Sequence, residues 1–258
     1  MKLVSNQFTQ SLKTNKPQVG LWVSLCSNLS TDIIAHSGYD WLLLDMEHTP
    51  NDINTVLSQL QSLGRSSSSI LVRPQWNDAV LVKSLLDIGA PGLLFPMIQS
   101  VEEAERAVAS TRYPPRGIRG VSGTTRATAF GRIDDYFERI EDETAVVVQL
   151  ETRAAIEQAD SIAAVDGVSG VFFGPADIAA DIGKLGQPMC DEVWDLVLPV
   201  ARRLLANGVP VGTLVFDGER AAELLNEGFS FVACGSDLSL LTRGSDALLS
   251  QVKSKIKR

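Results

Sequence analysis

The chain has 258 residues, 45% of them hydrophobic, which is enough for one sizeable core. A formal net charge of −8 excludes a basic nucleic-acid footprint. No apolar stretch approaches the ~20 residues that span a bilayer, so neither nucleic acid nor membrane is an expected partner.

The elements follow in chain order. The N-terminal MKLVSNQFTQSLKTNKPQ has no apolar core, so it is not read as a secretory signal. Eight short apolar runs come next: QVGLWVSL (18–25), DWLLLD (40–45), SILVRP (69–74), GLLFPM (92–97), TAVVVQLE (144–151), GVFFG (170–174), VPVGTLVF (209–216) and FSFVACG (229–235). Most are apolar at successive positions, as in parallel strands buried on both faces. Between them, helical periodicity predicts Thr31–Ser37, Asn51–Leu63, Ala79–Ile88, Val101–Ser110, Ala154–Ala164, Asp191–Ala206, Gly218–Asn226 and Leu238–Lys255. Several end at a glycine, the usual C-cap. The terminal KSKIKR reads as a helix end rather than a membrane anchor.

Eight strands, each followed by a helix, predict a single α/β domain over residues 1–258, a (β/α)8 TIM barrel. The competing doubly wound sheet would want a Gly-rich first turn, and no G-x-G-x-x-G occurs. The connection 111–137 is long enough to be a functional loop or an interface. Cys26, Cys190 and Cys234 are widely spaced, which argues against a disulfide framework or a zinc site and for a reducing, cytoplasmic setting.

A barrel of this kind carries its chemistry at the C-terminal ends of its strands. Those ends supply Trp22, then Asp45, Glu47 and His48, then Arg73, then Gln149 and Glu151, then Gly174, Pro175, Ala176 and Asp177. Glu151 and Asp177 end adjacent strands, and two facing carboxylates need a cation or a shared proton. Without a Cys/His cluster the expected ion is Mg²⁺ or Mn²⁺. The bland alternative for each is a surface or helix-capping acid. Arg73 can stabilise a developing enolate or carboxylate; alternatively it forms a structural ion pair. His48 is the neutral-pH acid or base, because His36 lies inside a helix. Asp87 is a candidate orienter of His48, against a plain reading as a last-turn polar residue. Free backbone N–H groups at Gly174–Ala176 could receive a carboxylate. Cys26 reads as packing.

DWLLLDMEHTPND, LVRPQWND, LLDIGA, TRYPPRGIRG, VQLETRAAI, GVFFGPADIAADIG and FVACGSDLSLL resemble the metal-dependent HpcH/HpaI aldolases, in the same order over nearly the whole chain. The resemblance implies a class II, pyruvate-specific aldolase that cleaves a 4-hydroxy-2-oxo acid to pyruvate and an aldehyde, such as 4-hydroxy-2-oxoheptanedioate or 2-dehydro-3-deoxyglucarate. It implies a hexamer, a trimer of dimers, with the final helix exchanged between subunits. By position it implies Glu151 and Asp177 as ligands of Mg²⁺, Mn²⁺ or Co²⁺, and Arg73 at the pyruvate oxygen. His48 becomes the catalytic histidine with Asp45 and Asp87 its acidic neighbours. Gln149 and the Ala176 backbone become substrate contacts, and Trp22 lines the aldehyde side. The family pattern is usually D-G-E-H, whereas Met46 stands here between Asp45 and Glu47. Glycine tolerates backbone angles that methionine does not, so the turn presenting His48 is expected to differ.

Two other readings compete. A citrate-lyase-like enzyme acting on a coenzyme A thioester would want a basic groove, for which Arg116, Arg119, Arg126 and Arg132 are available. A non-catalytic binder of small acids would keep the barrel but has little reason to keep His48, Arg73, Glu151 and Asp177 together.

Overall fold

The computed structural model describes residues 1–256. Its strands are β1 (Gln18–Val23), β2 (Trp41–Asp45), β3 (Ser69–Arg73), β4 (Gly92–Phe95), β5 (Ala145–Leu150), β6 (Gly170–Phe173), β7 (Val211–Leu214) and β8 (Phe231–Ser236). Each pairs in parallel with its sequence neighbours, and β8 closes on β1, so the eight form a closed barrel. All eight predicted runs became strands, each shortened or shifted by a residue or two at its ends.

The helices are α1 (Gln7–Lys13), α2 (Asn28–Ala35), α3 (Ile53–Ser62), α4 (Ala79–Asp87), α5 (Val101–Thr111), α6 (Tyr136–Glu143), α7 (Arg153–Glu157), α8 (Ala159–Ala163), α9 (Pro175–Asp181), α10 (Asp191–Ala206), α11 (Gly218–Asn226) and α12 (Asp237–Lys253). The helix expected over Ala154–Ala164 divides at Gln158, whose backbone leaves the helical region and caps both halves. Three helices go beyond the periodicity reading: α1, α6 and α9. Of KSKIKR, Lys253 ends α12, and residues 257–258 lie outside the described residues.

Strand parity positions everything that follows. Successive residues point alternately into the barrel and out toward the helices. The outward set, including Leu42, Leu44, Val72, Val146, Val148, Val171 and Phe173, packs under the helices. The inward set, including Trp22, Trp41, Leu43, Leu71, Leu94, Val147, Phe172 and Phe231, fills the barrel. Inward residues at the N-terminal end are closed off by α1, whose Phe8 and Leu12 join that interior cluster. Asn6 caps α1 by accepting from the Phe8 N–H, while its amide donates to the carbonyls of Pro91 and Glu143. The plug is therefore both capped and tied to the barrel floor.

Candidate active site

Continued upward, the same inward parity reaches polar residues. Trp41 and Leu43 are followed by Asp45, Leu71 by Arg73, and Val147 by Gln149 and then Glu151. A side chain that closes the core lower down is replaced at the mouth by one that carries charge or a hydrogen bond.

Arg73 and Asp45 form the centre of one half. The Arg73 Nε and Nη2 groups donate to the two Asp45 oxygens, both at 2.8 Å, and both residues are buried. This fork-to-fork geometry is the strong form of the pair. Arg73 Nη1 also lies 2.8 Å from Glu47 Oε2. Among the described residues that oxygen has no hydrogen bond of proper angle, so the contact is ionic rather than directed. Burial is the largest influence on Glu47 and pushes its carboxyl above the usual range, against the pull of Arg73. The Arg73 guanidinium is about 5.4 Å from the centre of the Trp22 ring, within cation–π range.

The loop after β2 is braced from below. The Glu47 N–H donates to Asp45 Oδ1, while Thr49 Oγ1 and the Asn51 amide donate to the Asp45 carbonyl at 2.5 and 2.6 Å. Gln59 of α3 donates in turn to Asn51. Met46 fits this turn without left-handed backbone: it is absent from the positive-φ residues, donates its N–H to the Arg73 carbonyl and buries its side chain. The position does not demand glycine, so methionine adds core packing rather than strain. His48 projects from the braced loop with its side chain 64% exposed, and its Nε2 is 3.8 Å from Glu47 Oε2, beyond hydrogen-bond reach.

The other half is built on β5 and the turn after β6. Gln149 donates to Glu151 Oε1 at 2.7 Å, and the Met97 N–H donates to Glu151 Oε2 at 2.8 Å. Met97 holds that N–H in place from a left-handed conformation, φ 51°. Burial, then the neighbouring charge of Asp177, push the Glu151 carboxyl up to about 9. Gly174 is required by close approach: a Cβ there would lie 2.7 Å from Glu151 Oε1 and 3.1 Å from Gln149 Nε2. Pro175 opens α9, whose first turn leaves the Ala176 and Asp177 N–H groups without intrahelical acceptors.

Trp22, His48, Arg73, Gln149, Gly174, Pro175, Ala176 and Asp177 line one cavity of about 320 Å³ at the barrel mouth. A larger cavity, about 480 Å³, opens at the opposite end of the barrel. Its Arg112 and Arg116 are already paired with Glu141 and Asp166. The mouth is the better site on chemistry.

Four carboxylates, of Asp45, Glu47, Glu151 and Asp177, face one guanidinium there. The excess negative charge, the raised Glu151 and a buried Gln149 Oε1 with no hydrogen-bond partner among the described residues fit a hard divalent cation. Among the described residues no group of three or more His, Cys, Asp or Glu side chains is placed to enclose a metal. Such an ion would therefore be only partly enclosed by protein carboxylates.

Asp87 is not brought to His48 within this chain. It is the last residue of α4, which returns from β3 toward the barrel floor, and it accepts from Arg119 at 3.0 Å. The four arginines weighed for a nucleotide groove are engaged separately: Arg116 with Glu141 and Asp166, Arg119 with Asp87 and Tyr136, Arg126 with the Ile88 carbonyl, and Arg132 with the Ala129 carbonyl. Sequence reasoning missed the Met97 donor and the apolar lining from Phe172, Pro188, Met189, Leu214, Val215 and Phe216. The inward parity of β6 and β7 was the available signal for Phe172, Leu214 and Phe216.

An eight-stranded parallel barrel with an acidic, arginine-centred mouth defines the class. A family profile described as HpcH/HpaI aldolase/citrate lyase matches residues 18–243. The chain belongs to that family. It is 46% identical over 246 residues to a "4-hydroxy-2-oxo-heptane-1,7-dioate aldolase" of Klebsiella pneumoniae, covering 95% of this chain and 93% of the relative. It is 47% identical over 248 residues to a "pyruvate aldolase" of Rhizobium etli, covering 96% and 98%. A crystal structure of a family protein from Burkholderia cenocepacia superposes with a TM-score of 0.93 at 38% identity, over 96% of this chain and 100% of that one.

Proposed function

We propose that the barrel mouth carries out reversible, metal-assisted cleavage of a 4-hydroxy-2-oxo acid to pyruvate and an aldehyde. The chain is a carbon–carbon lyase of the aldolase kind, in line with relatives named for pyruvate and 4-hydroxy-2-oxo-heptane-1,7-dioate aldolase activity. The observation that carries the reading is the mouth itself: four carboxylates around one buried guanidinium, with Glu151 and Asp177 close enough to raise the proton affinity of Glu151.

Glu151 and Asp177 would hold the ion, Mg²⁺ or Mn²⁺ by the hardness of the donors, with Co²⁺ also compatible. When bound, it supplies Lewis acidity toward the 2-oxo group. Arg73, fixed by Asp45 and Glu47, sets its positive charge beside the enolate oxygen that develops as the C3–C4 bond breaks. Gln149 holds Glu151, and the free N–H groups at the start of α9 receive the substrate carboxylate. His48, directly or through a water, takes the 4-hydroxyl proton. In the condensation direction the same groups take a proton from the pyruvate methyl group. Among the described residues no lysine lines the cavity, which disfavours a Schiff-base route. Asp87 receives no step in this scheme.

The test is proton NMR of pyruvate in D₂O with Mg²⁺, Mn²⁺ or excess EDTA. Methyl exchange is expected only with metal and is slowed in His48→Ala. Absence of exchange with folded protein and either ion overturns the reading.

The hexamer and the exchanged final helix belong to the same proposal. On α12, Leu238, Leu240, Leu241, Leu248, Leu249 and Val252 are 47–63% exposed, and Asp237 is its one buried residue among those described. An apolar face left this open favours a neighbouring subunit as its cover. Light scattering across a dilution series checks the assembly. Cytoplasmic placement is likewise proposed, from the three free cysteines; no described helix is long and apolar enough to cross a membrane.

A further inference from the structure

The mouth cavity has two unlike halves. His48, Arg73, Gln149 and Asp177 line one. The other is apolar: Trp22 from β1, Leu214 and Phe216 at the end of β7, and Pro188 and Met189 from the connection between α9 and α10. Phe216 is 51% exposed and Met189 45% exposed. Two large apolar side chains thus stand open at the mouth, where an aldehyde leaving C4 would lie.

Among the described residues the second half also holds no cation. Arg73 is the one lysine or arginine among the described residues that line the cavity, and it already faces Asp45 and Glu47. Outside that lining, Arg243 donates to the Phe216 carbonyl from an exposed position on α12, and Lys184 is paired with Glu192. A carboxylate at the far end of the substrate would lose water without gaining a counter-charge from the lining, and would add to an acidic mouth. An uncharged chain would instead cover Leu214, Phe216, Pro188 and Met189 and exclude water from them.

We propose that the acceptor aldehyde of this enzyme is uncharged and apolar, selected by the wall formed by Leu214, Phe216, Pro188 and Met189. The inference rests on the aldolase reading and names the substrate class of the same site.

The experiment measures kcat/KM for condensation of pyruvate with propanal, butanal, pentanal, hexanal and succinic semialdehyde, using the metal-loaded full chain. Pyruvate proton exchange without aldehyde is followed in parallel. Burial of each added methylene predicts a rise of about fourfold per carbon along the alkanals. Pentanal is expected to exceed succinic semialdehyde by about tenfold or more, the margin expected for desolvating an unpaired carboxylate. Phe216→Ala flattens the series, and Met189→Lys shifts preference toward succinic semialdehyde by supplying the missing charge. Succinic semialdehyde used as well as pentanal, a flat series in the wild type, or an unchanged series in Phe216→Ala overturns the inference. If exchange proceeds in those cases, the aldolase reading stands without it. If exchange is absent with every metal, the aldolase reading itself falls, and this inference with it.

Discussion

The two ends of the barrel use the same strands for opposite purposes. At the floor, the inward residues are Trp41 and Phe231, closed by Phe8 with ring centres 5.2–6.0 Å apart in edge-on arrangements. At the mouth, two to four residues further along equivalent strands, they are Asp45, Arg73, Gln149 and Glu151. The aromatic cluster inside the floor gains from burial and ring contact and holds no charged side chain. The mouth concentrates like charges in a partly desolvated space, an arrangement that is unfavourable until a cation and substrate arrive. The difference shows which residues should cost stability when changed and which should cost rate.

The sharpest test of that division is Arg73→Ala. It removes the cation between Asp45 and Glu47 and the charge proposed to stand beside the enolate. A fall in kcat/KM of about a thousandfold or more is expected from steady-state kinetics. Arg73→Lys should recover little of it, because an ammonium cannot reproduce the two-pronged contact with Asp45. Near-normal turnover in either variant would break the assignment of Arg73 to the chemistry. Phe8→Ala is the counterpart at the floor. Truncating a fully buried phenylalanine is expected to lower unfolding stability by about 3–5 kcal/mol, read from denaturant melts. The kcat of the remaining folded protein should stay close to wild type. A large loss of kcat at full occupancy would show that the floor and mouth are not independent.

The floor was the less legible end. The eight apolar runs announced the barrel because parallel strands, covered on both faces, show unbroken hydrophobicity. The segment NQFTQSLK carries only Phe8 and Leu12 as large apolar residues, four apart on a seven-residue helix, too few for periodicity to mark it. Its fold follows from tertiary burial and from the Asn6 cap, neither visible locally. At the mouth, the strand-end rule singled out Asp45, Arg73, Gln149, Glu151 and Asp177 because each lies at or just beyond the end of an apolar run, and their catalytic roles are proposals. It could not see that Asp87, though close in type, is carried by α4 to the other end and held by Arg119. Nor could it see Met97, whose contribution is a backbone N–H and therefore independent of residue type. The Asp-Met-Glu-His turn shows the same limit: a glycine-for-methionine difference suggested altered backbone, and packing of Met46 into the core made the turn ordinary.

Within the mouth the expected effects grade downward. His48 projects into solvent with its Nε2 3.8 Å from Glu47 Oε2, so the proton-transfer role proposed for it can be separated from any framework role. His48→Ala should lower aldol cleavage about a hundredfold, with thermal stability unchanged within a degree or two. Loss of stability with retained rate would reverse the assignment.

The smallest effect is the most specific to the carboxylate pair. In metal-free protein Glu151 is pushed up to about 9, so the folded chain holds this proton more tightly than the unfolded chain does. The corresponding stability is present in full below the ordinary glutamate range and is lost as pH rises toward about 9. Melts in EDTA should therefore show the midpoint drifting down between about pH 5 and pH 9. A saturating divalent ion should reverse the drift, because it binds the deprotonated form. Over the same window the apparent metal affinity should strengthen by up to about tenfold per pH unit, with close to one proton released, measurable by titration calorimetry in buffers of different ionisation heat. Replacing Asp177 by asparagine removes one of the two charges that compete for this space. It should lower the proton affinity of Glu151 and flatten the metal-free drift while also weakening the ion. Drift and metal affinity that respond to Glu151→Gln but not to Asp177→Asn would mean that burial alone sets the behaviour, and that the two carboxylates do not act as a pair.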